Sequence, residues 1–231
     1  MCIMIYKPAG KSISDKILET CWNKNKDGAG YMFAHNGQVI IRKGFFKFKS
    51  FMTSLRLDST HTAKNKDVVI HFRYATHGKI DKVNCHPHRI TDKLAFAHNG
   101  IINIDVPSGS QVSDTIIFGE KILKQLPDNW LKKQSYVELV GRYIGNSKLV
   151  FLSGKGDVNI IHQELGEWYE GCWYSNGGFR SAVPRSYTGT GKLTWHKDTL
   201  FDTGQNTISD AEVQEIMGEI NDYQPDSEIP F

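Results

Sequence analysis

An α+β fold is expected for this 231-residue chain, from the order in which its periodic segments occur. Short strand-like runs open it, helical stretches fill its middle, and strands return afterwards, which implies stacked layers rather than a parallel sheet built from βαβ units. Two hairpin signals, Asn36-Gly37 and Gly154-Lys155-Gly156-Asp157, support antiparallel pairing at both ends of that order.

Cys2–Tyr6 reads as the opening strand. Ser14 then precedes a helix that carries Ile17, Leu18, Cys21 and Trp22 at helical spacing. Strands 30–35 and 38–42 flank Asn36-Gly37, and 45–57 mixes aromatics with lysines in a pattern that suits a second helix. Residues 67–74 (DVVIHFRY) form a strand rich in β-branched and aromatic residues. A loop with Gly78, Asn84 and Pro87 follows, then a strand at 94–98 ended by Asn99-Gly100. Ser113 is placed to cap a helix from Asp114 to about Leu126, stopped by Pro127. A further helix at 135–143, strands at 148–152 and 158–162, and a strand at 171–175 complete the series. Residues 209–219 suit a last helix with Val213, Ile216, Met217 and Ile220 on one side, and Pro225 and Pro230 mark a loose end. The expected division is a domain over 1–208 and an acidic helix and tail over 209–231.

The formal charge of +3 conceals an asymmetry: residues 209–231 hold seven acids and no Lys or Arg, leaving 28 basic against 18 acidic residues, a net +10, in the rest. Such a pairing suits an anionic partner, a self-masking tail, or simply a solvated surface and a solvated helix. The cysteines, Cys2, Cys21, Cys85 and Cys172, are dispersed and form no CxxC pair, so neither a zinc knuckle nor a disulfide framework is indicated and a reducing cytoplasm is the simplest compartment. The first apolar run is too short for a signal peptide, and no later stretch would span a membrane. Arg42, Lys43, Lys47 and Lys49 interleave with Phe45, Phe46, Phe48 and Phe51; that pattern fits single-stranded nucleic acid, but an amphipathic segment with its rings buried is the commoner cause, and no nucleic acid is expected.

The chemistry-bearing residues concentrate between His71 and Thr115. Arg73 offers a planar fork for a carboxylate and Asp114 a counter-charge for an ammonium, the two charged groups of a free amino acid. Asn99 and Gly100 offer a side-chain amide and a backbone N–H, the parts of an oxyanion hole. Cys2 follows the initiator Met1, whose removal would set a free α-amine, of pKa about 7.7–8.0, beside the thiol as a general base. His71, His77, His86, His88 and His98 fall close together, but their spacing carries no zinc signature, and no metal or other cofactor is expected.

Met1-Cys2, Asp27-Gly28-Ala29-Gly30, Arg73 to Gly78, Asn84 to His88, His98-Asn99-Gly100 and Asp114-Thr115 together resemble the glutaminase domain of class II glutamine amidotransferases, which are N-terminal nucleophile hydrolases. The likeness is greatest to the glutaminase half of hexosamine-phosphate synthases. It is specific over residues 2 to about 120 and rests on strand pattern beyond; Ile116 stands where many relatives carry an acid, and Cys85 where a small apolar residue is common.

The resemblance implies a four-layer αββα sandwich of two mainly antiparallel sheets. It also implies hydrolysis of the L-glutamine side-chain amide through a γ-glutamyl thioester on Cys2. Asn99 and Gly100 would hold the oxyanion. Arg73, aided by Thr76 and His77, would bind the substrate carboxylate, and Asp114 its ammonium. Relatives continue into a synthase domain that consumes ammonia, so a separate synthase is the expected acceptor here. Two rival readings are a simple γ-glutamyl amide hydrolase and a non-catalytic binding module that retains Met1.

Overall fold

Side chains alternate along each strand of the chain, and the alternation sorts them into three apolar layers. In a computed structural model, which describes residues 2–76, 78–182, 186–187 and 193–194, β1 (Ile3–Lys7) sends Ile3 and Ile5 into one core and Met4 into another. The chain divides into two units, Met1–Val183 and Pro184–Phe231. Of the second, the description covers a two-stranded hairpin, Ser186–Tyr187 with Leu193–Thr194. The expected helix at 209–219 and the acidic tail lie outside the described residues.

In the first unit, β1 is followed by α1 (Asp15–Lys24), β2 (Ala29–His35), β3 (Gln38–Phe45), α2 (Phe48–Thr60), β4 (Val68–Phe72), β5 (His88–Thr91) and β6 (Leu94–Asn99). Then come α3 (Asp114–Lys121), α4 (Gln134–Ile144), β7 (Lys148–Ser153), β8 (Val158–Ile161), β9 (Glu167–Tyr169) and β10 (Cys172–Tyr174). Six strands form one antiparallel sheet in the order β3-β2-β4-β1-β10-β9, and four form the other in the order β5-β6-β7-β8.

The outer face of the first sheet packs on α1 and α2 through Ile3, Ile5, Leu18, Trp22, Phe51 and Phe72. The second sheet packs on α3 and α4 through Phe96, Phe118, Val140, Ile144 and Phe151. Between the sheets lie Met4, Met32, Val69, Ala95, Ala97, Val150 and Trp173. Helix, sheet, sheet, helix is the expected αββα order. Among the described residues no helix is long and apolar enough to cross a membrane.

Local chemistry accounts for most boundaries. Ser14 caps α1 by accepting the Ile17 N–H at 3.3 Å. Asn36 (φ 49°) and Gly37 (φ 78°) both take the left-handed conformation that a two-residue hairpin loop requires. The second helix starts later than its sequence suggests, because β3 continues to Phe45; Phe51 is fully buried, and Phe45 and Phe48 pack against the same core. Only Phe46 of the four interleaved rings is largely exposed, so this segment offers its aromatics inward. Ser113 holds the N-cap position of α3 but makes no capping bond, and α3 stops at Lys121 before a 3₁₀ turn at Leu123–Gln125. Strands β5 and β9 were not expected from the sequence.

Candidate functional site

Cys2 immediately precedes β1, a strand flanked on both sides in its sheet by β4 and β10. Its thiol lies against the Tyr74 peptide: the Tyr74 N–H donates to Sγ at 3.2 Å, and the S–H is 3.3 Å from the Tyr74 carbonyl oxygen. Burial pushes the Cys2 thiol pKa up; the Tyr74 peptide, the positive N-terminus and Arg73 oppose that rise. The Cys2 carbonyl accepts two side-chain amides, Asn99 Nδ2 and Asn176 Nδ2, each at 2.7 Å. Asn99 Nδ2 also donates to Ser175 Oγ at 2.6 Å, so both of its N–H groups are committed. The site therefore joins the end of β6, from one sheet, to the ends of β1 and β10, from the other.

Arg73 follows β4 directly. Its backbone is paired with the Asp27-Gly28 turn, Arg73 N–H donating to the Gly28 carbonyl at 2.7 Å and Asp27 N–H to the Arg73 carbonyl at 3.1 Å. Asp27 Oδ2 accepts the Ala75 N–H at 2.8 Å. The Arg73 guanidinium is buried and donates to the Lys79 carbonyl at 2.7 Å. Asn84 ties this loop to the one before α3: its Oδ1 accepts the Ser113 N–H at 2.8 Å and its Nδ2 donates to the Gln111 carbonyl at 2.9 Å. Asp114 comes next, half-buried, its Oδ2 accepting the Ile102 N–H and its Oδ1 the Thr115 N–H, both at 2.8 Å. Thr76 is exposed on the same loop, and His77 lies outside the described residues.

Two glycines are dictated by close approach. Any Cβ at Gly30 would collide with the His86 carbonyl oxygen, so only glycine lets the 84–88 loop rest on β2. Gly100 has φ +145° and a Cβ there would strike Ser147 Oγ, so both its backbone and its setting exclude a side chain.

His71, His86, His88 and His98 are buried together; the His71 and His86 rings stack at 4.1 Å between centroids, and His86 meets His88 at 4.6 Å. Burial, then neighbouring positive groups, lowers their pKa values: His71 falls to about 3, and His86 and His88 lie well below the ordinary 6.5. His98 falls to about 4, by burial, with Asp114 opposing and Lys148 assisting. Among the described residues, no group of three or more His, Cys, Asp or Glu is arranged to hold a metal.

The structure thus brings Cys2 and Asn99 into direct contact, with Gly100 next in chain, and links the Arg73 loop to the start of α3. Sequence reasoning overlooked Ser175, Asn176 and the Tyr74 peptide. Asn176 comes into view only through the strand register: extending the β1–β10 pairing, Ile5 opposite Tyr174, sets it across from Ile3. A cleft of about 310 Å³ lined by His35, Lys66, Asp67 and Lys155 lies at the other end of these strands, beyond Lys7, and contains none of the expected site residues.

No family model matches the chain. Glutamine–fructose-6-phosphate aminotransferase of Bacillus cereus is 33% identical over 160 residues, 67% of this chain and 25% of that protein. The protein of the same name from Shewanella oneidensis is 28% identical over 105 residues, covering 44% and 17% of the two chains. That from Pyrococcus horikoshii is 32% identical over 106 residues, with the same shares. The matches therefore span a quarter or less of these relatives. Among solved structures, the glutamine phosphoribosylpyrophosphate amidotransferase of B. subtilis superposes with a TM-score of 0.50 over 75% of this chain and 41% of that one, at 17% identity, a likeness of fold. Relatives in sequence and in fold meet in one group, and the chain belongs to the class II glutamine amidotransferases, with their N-terminal nucleophile hydrolase fold.

Proposed function

We propose that this chain hydrolyses the side-chain amide of L-glutamine to glutamate and ammonia, with Cys2, freed of Met1, as the nucleophile. The observation that carries the reading is the junction at Cys2: its thiol on the Tyr74 peptide, and the Asn99 amide against its carbonyl. The α-amine of Cys2 takes the thiol proton, and the thiolate adds to the amide carbon. Asn99 Nδ2–H and the Gly100 N–H bind the oxyanion. The ammonium so formed returns its proton to the departing nitrogen, ammonia leaves, and a γ-glutamyl thioester remains. Water, deprotonated by the same amine, cleaves the thioester to glutamate and restores the thiol.

For Asn99 to serve the oxyanion it must turn from the Cys2 carbonyl, and Asn176, bonded to the same oxygen, keeps that carbonyl satisfied when it does. Arg73, with Thr76 and His77, binds the substrate α-carboxylate, and Asp114 binds the α-ammonium. Both groups are paired within the protein, Arg73 to the Lys79 carbonyl and Asp114 to two backbone N–H groups, which fixes their aim before substrate arrives. The ammonia passes to a synthase that consumes it, in a reducing cytoplasm that keeps the thiol free.

The test is ammonia release from L-glutamine by the wild type and by Cys2→Ala and Cys2→Ser, together with intact mass. The mature protein should lack Met1, both variants should be inactive yet folded, and diazo-oxo-norleucine should label Cys2. Activity in Cys2→Ala, or labelling of Cys85 instead, would overturn the reading.

A further inference from the structure

His98 stands immediately before Asn99, and its peptide group is held by two other histidines. Its N–H donates to His86 Nδ1 at 3.1 Å, and its carbonyl oxygen is 3.1 Å from His71 Nε2. These contacts define tautomers. A backbone N–H only donates, so His86 Nδ1 carries the lone pair; a carbonyl only accepts, so His71 Nε2 carries the hydrogen. Both imidazoles are therefore neutral or, at His71, at least protonated on Nε2, and both are buried.

The placement follows from sheet geometry. Strand β6 is paired along its whole length with β7, His98 opposite Leu149 and Asn99 opposite Lys148. On its other side β5 reaches only as far as His88, opposite Phe96. Extended two residues, that register would set position 86 opposite His98. The main chain does not continue the ladder there; the His86 and His71 side chains take its place. In an antiparallel strand the N–H and C=O of one residue point to the same side, and alternate residues share that side. The next N–H on the His86 side after His98 is that of Gly100, the donor assigned above to the oxyanion.

We infer that His71 and His86 are positioning residues that stand in for the missing length of β5 and so fix the aim of the Asn99-Gly100 strand end. The inference rests on the glutaminase reading for its kinetic consequence, though not for its geometry. His98 completes the arrangement, its Nδ1 lying 2.8 Å from Thr115 Oγ1 beside Asp114, which ties the same strand end to α3.

The test exploits side-chain reach. A glutamine amide nitrogen lies as many bonds from Cα as His Nε2, and an asparagine oxygen as many as His Nδ1. His71→Gln and His86→Asn therefore match the lost atom, whereas His71→Asn and His86→Gln carry the same group at the wrong reach. The matched pair should keep turnover of L-glutamine within a few-fold of wild type. The mismatched pair should lose about tenfold or more, approaching the 10²–10³ of a lost oxyanion donor, with KM within about twofold because Arg73 and Asp114 bind the substrate. Equal losses in matched and mismatched variants, or losses expressed in KM, would overturn the inference. Should wild type release no ammonia, the glutaminase reading fails by itself. Amide hydrogen exchange at His98 then decides the geometry: slow exchange in wild type and His86→Asn but fast in His86→Gln supports it, and equal rates in all three overturn it.

Discussion

Mild acid should destabilise this protein through its buried histidines. The folded chain holds His71 and His98 neutral, with pKa values of about 3 and about 4, whereas an unfolded chain lets a histidine titrate near 6.5. Below 6.5 the unfolded state binds more protons, so stability falls as pH drops, and the loss stops growing only below the folded values. At about pH 5 each ring lies some 1.5 units below its unfolded pKa, worth about 2 kcal/mol, or about 4 kcal/mol for the two. His86 and His88, lowered by the same burial, add to the loss. Domains are stable by about 5–15 kcal/mol, so the change is a large share of the whole. Ordinary carboxylates, of pKa about 4, stay mostly ionised in this window, which isolates the histidine contribution. Urea unfolding, followed by tryptophan fluorescence at pH 7.5 and at pH 5, should show a marked fall in midpoint at the lower pH. His71→Gln removes one titrating ring and should shrink the pH-dependent difference by about 2 kcal/mol. An equal midpoint at both pH values, or a pH dependence unchanged in His71→Gln, would refute the reasoning.

Arg73→Ala and Asp114→Ala should raise KM for glutamine, by about tenfold or more for loss of one charged hydrogen-bonding partner, and lower turnover less, since the proposal assigns both groups to parts of the substrate that do not react; steady-state kinetics in which turnover collapses at constant KM would contradict the assignment. Gly100→Ala should lower the melting temperature and abolish most activity, because φ +145° costs about 1–3 kcal/mol for any other residue and the new methyl meets Ser147; a variant with wild-type stability and turnover would show that this backbone is not fixed.

The α+β layering could be anticipated from segment order, the αββα order from resemblance, and the Asn36-Gly37 hairpin from its turn chemistry alone. Strands β5 and β9 have four and three residues, too few for an alternating pattern to declare itself, and β5 is in part replaced by side chains where it faces His98. The Ser113 cap failed because a serine before a helix is only a local signal. Here Asn84 takes the Ser113 backbone N–H, and the hydroxyl is left without a partner in the described structure. Cys2, Asn99 and Arg73 were accessible because each has a distinctive chemical use. Asn176 and Ser175 were not, because their importance lies in which strand end they close, a matter of register rather than residue type.

The Cys2 carbonyl accepts amides from residues 97 and 174 positions away, one at the end of each sheet. That single oxygen acts as a suture across the sandwich. Either sheet can pair its own strands without it, but Cys2, the proposed nucleophile, meets Asn99 only when the two have docked face to face. A nascent or half-folded chain therefore lacks the Asn99 contact at Cys2. On the glutaminase reading proposed above, regain of activity on refolding would report docking of the two sheets where circular dichroism reports the strands.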